Sequence, residues 1–266
     1  MWYPGHVARA KRKIAELLKA VNFVIEIRDA RAPYATGAYE RREILKGKRS
    51  IIVLNKADIA QEDITNGWVE FFRSRNERVV VTWKRDRSAR LLREIFGERM
   101  SAKALVIGLP NVGKSAFINR IKGRRSVKVG GVPGVTRGVQ WIQINESIKL
   151  IDTPGVIYTD LFSDRLVAKL LLVGVLTPEM MDDWKALEIA FEILRSRHPD
   201  IVRERVGDVS GLYEAVQVFG KSRGLLRVGG EVDESTALNK MFQEISSGKW
   251  GKMSFEDPEI WEEVKA

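Results

Sequence analysis

Short runs of apolar residues recur along the first half of the chain, with longer mixed segments between them. The apolar runs lie at residues 23–27, 51–54, 79–81 and 104–107. Helices are expected before and between these runs, at residues 7–20, 38–46, 62–74, 88–97 and 114–122. Because short, continuous apolar runs are typical of strands covered on both faces, this alternation predicts an α/β fold with a mostly parallel sheet.

The pattern changes towards the carboxyl terminus. Polar and apolar residues alternate at 138–144, and an apolar run follows at 147–151, so we expect a hairpin there and six strands in all. Later residues show mainly helical spacing, with helices expected at 163–173, 179–196, 208–219 and 233–247. This change predicts two domains: an α/β domain with a basic N-terminal helix at residues 1–160, and an all-α domain at residues 161–266.

The charge of the chain is uneven, and this adds an expectation about partners. The formal net charge is +10, from 45 Lys and Arg against 35 Asp and Glu. Residues 1–160 hold 31 of the basic and 16 of the acidic residues, a net of +15, and residues 161–266 hold 14 and 19, a net of −5. A basic first part favours a polyanionic partner such as RNA or a ribonucleoprotein, although a solvated basic face is the alternative.

Cysteine content and apolar run length exclude several classes of protein. The chain has no cysteine, which excludes disulfides, thiolate catalysis and cysteine-based zinc sites. The longest apolar stretch near the middle, residues 170–176, is far too short to span a membrane. The N-terminus lacks the apolar block of a signal peptide. A cytoplasmic location without a membrane partner is therefore expected, and a monomer is favoured.

Residues 108–115 read GLPNVGKS and match the phosphate-loop pattern G-x-x-x-x-G-K-S between a predicted strand and a predicted helix. The glycines let backbone N–H groups close around phosphate oxygens, and the helix N-terminus adds a positive dipole end. Lys114 would neutralise the β- and γ-phosphates, and Ser115 would ligate Mg²⁺. The residues expected to contact the nucleotide here are Pro110, Asn111, Val112, Gly113, Lys114, Ser115 and Ala116.

Residues 55–58 read NKAD and directly follow the predicted strand at 51–54. The carboxylate of Asp58 can accept two hydrogen bonds from the N1–H and exocyclic amine of guanine, a pair of donors that adenine does not present. Asn55, Lys56 and Asp58 are therefore expected to bind guanine. A helix N-cap is the alternative role for Asp58.

Residues 152–155 read DTPG and follow the predicted strand at 147–151. Asp152 can hold Mg²⁺ through a water, and the N–H of Gly155 can reach the γ-phosphate. Thr136, in a loop rich in glycine and proline, is expected either to supply a second hydroxyl to Mg²⁺ or to be an ordinary turn residue. Together with Lys114, Thr136 and Gly155 are the expected catalytic residues.

Thr82, Trp83 and Lys84 follow the predicted strand at 79–81. In GTPases the loop at this place usually reads Ser-Ala-Lys and packs over the guanine through a backbone N–H. Here Trp83 replaces the alanine, so a nucleotide contact and a plain strand end are both open.

The order of these motifs is itself informative, because the guanine motif precedes the phosphate loop. An ordinary GTPase has them in the opposite order, so a circularly permuted chain is indicated. The order and the residues resemble the circularly permuted GTPases of the YlqF/RbgA type. Besides the nucleotide motifs, the resemblance rests on WYPGHV at 2–7, DARAP at 29–33 and GLLRVGGEVD at 224–233. It covers nearly the whole chain.

This resemblance implies a permuted Ras-like P-loop GTPase domain that binds GTP and GDP and hydrolyses GTP with Mg²⁺. It also implies a role in assembling the large ribosomal subunit, contacts with rRNA, and a helical C-terminal domain that helps to bind RNA.

The residue that orients the attacking water differs from the Ras-like pattern. Ras-like proteins place a glutamine just after Asp-x-x-Gly, whereas this chain has Val156 there. The resemblance implies that Asn111 helps to hold a K⁺ ion near the phosphates. His6 is the other candidate, and an ordinary histidine at a helix start is the alternative for it. An RNA-binding scaffold that is gated by nucleotide but scarcely hydrolyses it is the competing function.

Overall fold

The computed structural model describes residues 12, 14–37, 45, 47–97, 101–123, 127–131, 140–153 and 163–259. The strands of this part are β1 (Phe23–Asp29), β2 (Arg49–Asn55), β3 (Val79–Val81), β4 (Ala102–Ile107), β5 (Val127–Gly131), β6 (Gln140–Gln143) and β7 (Ile148–Asp152). They form one sheet in the order β3-β2-β1-β4-β7-β6-β5. The fold class expected from the sequence is confirmed.

Five neighbouring strands of this sheet are parallel. β1 lies between β2 and β4, β3 extends the sheet beyond β2, and β7 extends it beyond β4. All seven residues of β1 are buried, as a strand covered on both faces requires. The carboxyl ends of the five strands therefore meet at one edge of the sheet, which is where open α/β sheets bind ligands.

The sheet has seven strands in the described residues rather than the expected six. β6 and β7 form the expected antiparallel hairpin, and β5 adds a further antiparallel strand on the outer side of β6. The sequence of β5 is VKVGG. Glycine weakens the statistical signal for a strand, so pairing with β6 defines this element where the sequence pattern does not.

Helices cover the sheet and build most of the C-terminal part. Those in the described residues are α1 (Glu62–Ser74), α2 (Ser88–Phe96), α3 (Lys114–Lys122), α4 (Asp164–Leu172), α5 (Lys185–Arg197), α6 (Pro199–Val206), α7 (Leu212–Ser222) and α8 (Glu234–Ser246). Residues 14–20 are also helical. None of the described helices is long and apolar enough to cross a membrane.

Most of the expected helices are present, with two differences. The helix expected at 179–196 begins only at Lys185, after a short 3-10 turn at Pro178–Met180. α6 begins at Pro199, which is favourable as the first residue of a helix, and had no separate prediction. The helix expected at 38–46 falls almost entirely outside the described residues.

The C-terminal helices share one apolar core with the sheet. Phe23 and Leu105 from the strands and Leu171 and Phe219 from the helices belong to the same cluster of buried side chains. The boundary expected near residue 160 falls within 154–162, outside the described residues. On either side of that gap, the two parts of the chain are in direct contact.

Candidate functional site

The phosphate loop runs from the end of β4 to the start of α3, as the sequence predicts. Gly108 has φ +152°, and a Cβ there would lie 2.5 Å from the carbonyl oxygen of Ile27. Gly113 has φ +95°, and a Cβ there would lie 2.3 Å from Nδ2 of Asn55. Both positions therefore require glycine, because only glycine combines these backbone angles with so close an approach.

Lys114 is held inside this loop. Its Nζ donates to the carbonyl oxygens of Gly108 at 3.0 Å and Leu109 at 2.7 Å. Burial lowers the pKa of Lys114 to about 8, and the charge of Asp152 acts in the opposite direction. A buried ammonium at the N-terminus of a helix is an arrangement that suits a phosphate ligand.

Asp152 ends β7 beside Lys114 and Ser115. Its Oδ1 is buried and has no hydrogen-bond partner among the described residues. Burial raises the pKa of Asp152, although the charge of Lys114 and a hydrogen bond with Ser115 lower it. A buried carboxylate oxygen of this kind beside a serine hydroxyl fits Mg²⁺, which prefers oxygen ligands.

Asn55, at the end of β2, joins three of the predicted motifs. Its Nδ2 donates to the carbonyl oxygen of Val112 in the phosphate loop at 2.8 Å. Its Oδ1 accepts from Oγ1 of Thr82 at 2.9 Å and from Nη2 of Arg120 at 2.6 Å. The described part of the guanine motif thus lies against both the phosphate loop and the loop that follows β3.

Asp58 and the loop after β3 lie next to each other. The side chain of Asp58 is exposed, and its Oδ1 accepts from the backbone N–H of Lys84 at 3.4 Å. Asp58 is not a helix N-cap, because α1 has Gln61 at that position. Trp83 is 41% exposed, and the guanidinium of Arg90 lies 4.7 Å from its ring centre.

Arg120 is a member of this site that sequence reasoning missed. Besides Asn55, its guanidinium contacts the carbonyl oxygen of Trp83. Burial lowers the pKa of Arg120, while Asp86 and Asp58 act in the opposite direction. No motif contains this arginine, and its place on the second turn of α3 brings it to the loops that follow β2 and β3.

Asp29 and Arg31 also belong to the surroundings of the site, although in the sequence they are assigned only to a motif of the family resemblance. Asp29 is fully buried, and its Oδ2 lies 2.9 Å from Nζ of Lys56 and 2.9 Å from Nη2 of Arg31. Burial by itself would raise the pKa of Asp29, but Arg31 and Lys56 outweigh it and hold that pKa well below its usual value.

Several predicted residues cannot be placed. His6, Thr136 and Gly155 lie outside the described residues, as does Val156. Asn111 is described: it has φ +59°, and its Nδ2 donates to the carbonyl oxygen of Gly174 at 2.8 Å. The phosphate loop therefore touches the C-terminal part of the chain through this side chain.

Comparison with known proteins finds similarity along nearly the whole chain. A family described as 50S ribosome-binding GTPase matches residues 103–197. Ribosome biogenesis GTPase A of Thermotoga maritima is 45% identical over 97% of this chain and 94% of its own length. The protein of that name from Bacillus cereus is 33% identical over 97% of this chain and 94% of its own.

Solved structures are similar in the same way. The crystal structure of GNP-bound YlqF from T. maritima has a TM-score of 0.79 and 41% identity, covering 94% of this chain and 99% of that one. A GDP-bound YlqF structure has a TM-score of 0.75 at 41% identity, covering 93% of this chain and 100% of that one. The similarity therefore includes the helical part as well as the sheet.

Proposed function

Because this chain belongs to the ribosome biogenesis GTPase A family, we propose that it hydrolyses GTP to GDP and phosphate as an assembly factor for the large ribosomal subunit. The chain is a GTPase by its family and its fold. The observation that carries the proposal is the meeting of the phosphate loop, Asp152 and the NKAD motif at the carboxyl edge of one sheet. The names of its relatives support the ribosomal role.

The phosphates would bind between the N-terminus of α3 and Lys114. Lys114 already points its ammonium at two loop carbonyls, so a phosphate oxygen would join or replace those acceptors. A bound polyanion favours the protonated ammonium and would raise the pKa of Lys114 from about 8. The lysine would thus carry its full charge when the nucleotide is bound.

Ser115 and Asp152 would hold Mg²⁺, and Thr136 is proposed to supply a second hydroxyl. When bound, Mg²⁺ would neutralise charge on the β- and γ-phosphates. The protein's own part is to orient Asp152, and the charge of Lys114 partly offsets the burial that raises the pKa of this carboxyl. The N–H of Gly155 is proposed to contact the γ-phosphate.

Guanine would be recognised by Asp58, next to the loop of Thr82, Trp83 and Lys84. The exposed carboxylate of Asp58 can accept from two donors of guanine at once, and the rejection of adenine follows from the loss of both hydrogen bonds. Lys56 and Asn55 anchor the NKAD motif through their contacts with Asp29 and Val112. Pro110, Val112 and Ala116 are proposed to line the phosphate side of the nucleotide site.

Water activation is the step in which this chain departs from Ras-like GTPases. With Val156 at the glutamine position, we propose that K⁺ held near Asn111, or His6, completes the site. A scaffold that binds GTP with negligible turnover is the alternative function, and Val156 is the observation that favours it. Exchange of K⁺ for Na⁺ and a His6→Ala variant separate the two activators from each other.

The division into domains at 1–160 and 161–266 belongs to the same proposal. The segment after Asp152 leads directly into α4, so GTP and GDP would set different poses of the helical part. Indistinguishable small-angle scattering profiles in the GTP and GDP states would contradict this difference in pose.

Lys221, Arg223 and Arg227 are proposed to contact rRNA in the helical part. Arg223 now pairs with Glu244, and Arg227 pairs with Asp233, so RNA binding would release these two arginines from their acids.

Phosphate release with and without large ribosomal subunits tests the main proposal. We expect slow release from the monomeric protein alone, stimulation by the subunit, and co-sedimentation that is strongest with a GTP analogue. Lys114→Ala serves as the inactive control. If subunits bind but leave the rate of phosphate release slow, the scaffold function is favoured. Absence of co-sedimentation in every nucleotide state would overturn the ribosomal role. We place this role in the cytoplasm.

A further inference from the structure

A buried cluster of charges lies directly beneath the guanine motif. Arg31 and Asp29 are both fully buried, and their side chains pair through two hydrogen bonds: Nε of Arg31 donates to Oδ1 and Nη2 to Oδ2 of Asp29, both at 2.9 Å. Lys56 completes the cluster, with Nζ 2.9 Å from Oδ2 of Asp29, the oxygen that Nη2 of Arg31 also contacts. The carboxylate of Asp29 is thus shared by Lys56, which belongs to the NKAD motif, and by Arg31, which lies outside that motif.

Arg31 extends this cluster to the C-terminal helices. Its Nη2 donates to the carbonyl oxygen of Val173, just after α4, and its Nη1 donates to that of Ile245, in the last turn of α8, both at 3.4 Å. Carbonyls at a helix C-terminus carry a partial negative charge and lack partners within the helix. The planar guanidinium can serve two such ends and a carboxylate together, which an ammonium cannot.

Lys56 needs to be held, because its backbone is left-handed. It has φ +63° and ψ +31°, a conformation that residues other than glycine rarely adopt. Lys56 directly precedes the short helix at Ala57–Ile59, which carries Asp58. The direction in which the chain leaves Lys56 therefore sets where the carboxylate of Asp58 lies.

We propose that Asp29 and Arg31 are positioning residues for guanine binding: Arg31 anchors Asp29 on the ends of α4 and α8, and Asp29 holds Lys56 so that Asp58 faces the base. The packing of the C-terminal helices then helps to set the affinity for guanine. This inference rests on the guanine-binding part of the proposed function and is independent of the ribosomal part.

A double-mutant cycle on the full-length chain tests the proposal, with the dissociation constant of GDP in Mg²⁺ as the measurement. Asp29→Asn removes the charge that holds Lys56, and we expect GDP binding to weaken about tenfold, as for a lost hydrogen bond between charged groups. In a Lys56→Met background the same change should cost less than about twofold, because the partner is already gone. An equal cost in both backgrounds would overturn the proposal.

Arg31→Lys carries the test if Asp29→Asn does not fold. The lysine keeps a positive charge beside Asp29 but cannot also reach both helix ends, so GDP binding should weaken about threefold. Wild-type affinity in Arg31→Lys would overturn the proposal. If the wild-type chain binds GDP but no ribosomal subunit, the ribosomal role fails and this cycle remains a valid test.

Glu26→Gln is the matched control. Glu26 is a buried carboxylate on the same strand, and it forms an ion pair with Arg28, which belongs to no nucleotide motif. This variant should lower the melting temperature and leave GDP affinity within about twofold of wild type. A loss of affinity as large as that of Asp29→Asn would mean that general loosening of β1 explains the effect, which would overturn the positioning role.

Discussion

Asn55 shows at the scale of one residue how the site is held together. Its side chain bonds the phosphate loop through Val112 and the loop after β3 through Thr82. In this structure Asn55 is a brace between the phosphate loop and the loop after β3. The sequence predicts that Asn55 belongs to the NKAD motif, and the structure shows which groups its side chain binds.

Asn55→Ala should therefore weaken both folding and nucleotide binding. Loss of these buried hydrogen bonds should lower the free energy of unfolding by about 1–3 kcal/mol. Urea denaturation measures this, and a GDP titration of the same samples should show weaker binding. Asn119→Ala, at an exposed position of α3, is the control. Equal stability of the two variants would contradict the role of Asn55 as a brace.

Lys114 gives a pH dependence at the same scale. Its pKa in the nucleotide-free protein is about 8, so above that pH a growing share of the protein must take up a proton before the phosphate can bind a charged lysine. GDP affinity should fall as pH rises through 8, by up to about tenfold per pH unit. Titrations at pH 7, 8 and 9 measure it, and Lys114→Met should bind weakly with a flatter profile over this range.

The same shift has the opposite effect on folding without nucleotide. Between pH 8 and the ordinary pKa of lysine, 10.5, the unfolded chain binds more protons at this residue than the folded chain does. Stability that depends on Lys114 should therefore rise with pH over this window. With rising pH, GDP affinity should fall while the stability of the nucleotide-free protein rises. These opposite trends distinguish a buried lysine without a counter-charge that offsets its burial from one that is already paired with an anion.

At the scale of elements, the phosphate loop and β2 are packed through glycine. Gly113→Ala would place a Cβ 2.3 Å from the side-chain amide of Asn55 at a positive φ. We expect GDP affinity to fall by about tenfold or more, because the loop must move away from its partner. The measurement is a GDP titration combined with thermal unfolding.

Gly123→Ala separates the two causes in that variant. Gly123 has φ +57° at the other end of α3, and a Cβ there would meet no atom of the described residues within 4 Å. The Gly123→Ala variant therefore has the backbone strain of a positive φ but no steric clash like that of Gly113→Ala with Asn55. Its GDP affinity should remain close to that of wild type. Equal losses of GDP affinity in both variants would show that strain in α3 alone is responsible.

The elements also show what the sequence could and could not predict. β1, β2 and β4 are evident as apolar runs because they are covered on both faces, and the phosphate loop is evident because its glycines are required. β5 was not predicted, because its two glycines weaken the sequence signal for a strand, and the element is defined by its pairing with β6. Arg120 and Asp29 were not assigned to the site, because their roles arise from contacts between segments far apart in sequence.

At the scale of the whole molecule, Glu256 links the end of the described chain to the residues after Arg31. It accepts from the backbone N–H of Tyr34 at 2.7 Å and pairs with Lys169 of α4 at 3.0 Å, and it is almost completely buried. The C-terminal part is therefore joined to the segment after β1 by a hydrogen bond to a buried carboxylate, as well as by apolar packing.

Glu256→Gln should lower the free energy of unfolding by about 2–4 kcal/mol, because it leaves the ammonium of Lys169 buried without its counter-charge. Denaturant unfolding measures the change, with Asp208→Asn as control. Asp208 pairs with Arg203 at an exposed site, so Asp208→Asn should leave the free energy of unfolding almost unchanged. Similar costs in the two variants would contradict a strong link through Glu256.

The position of β1 has a consequence for the order in which the fold is completed during synthesis. β1 is a central strand that pairs with β2 on one side and with β4 on the other. In this permuted chain β1, β2 and β3 leave the ribosome before β4, and one edge of β1 stays unpaired until residues 102–107 follow. The strand that closes this edge leads directly into the phosphate loop, so in the nascent chain that loop follows the step that covers an exposed strand edge.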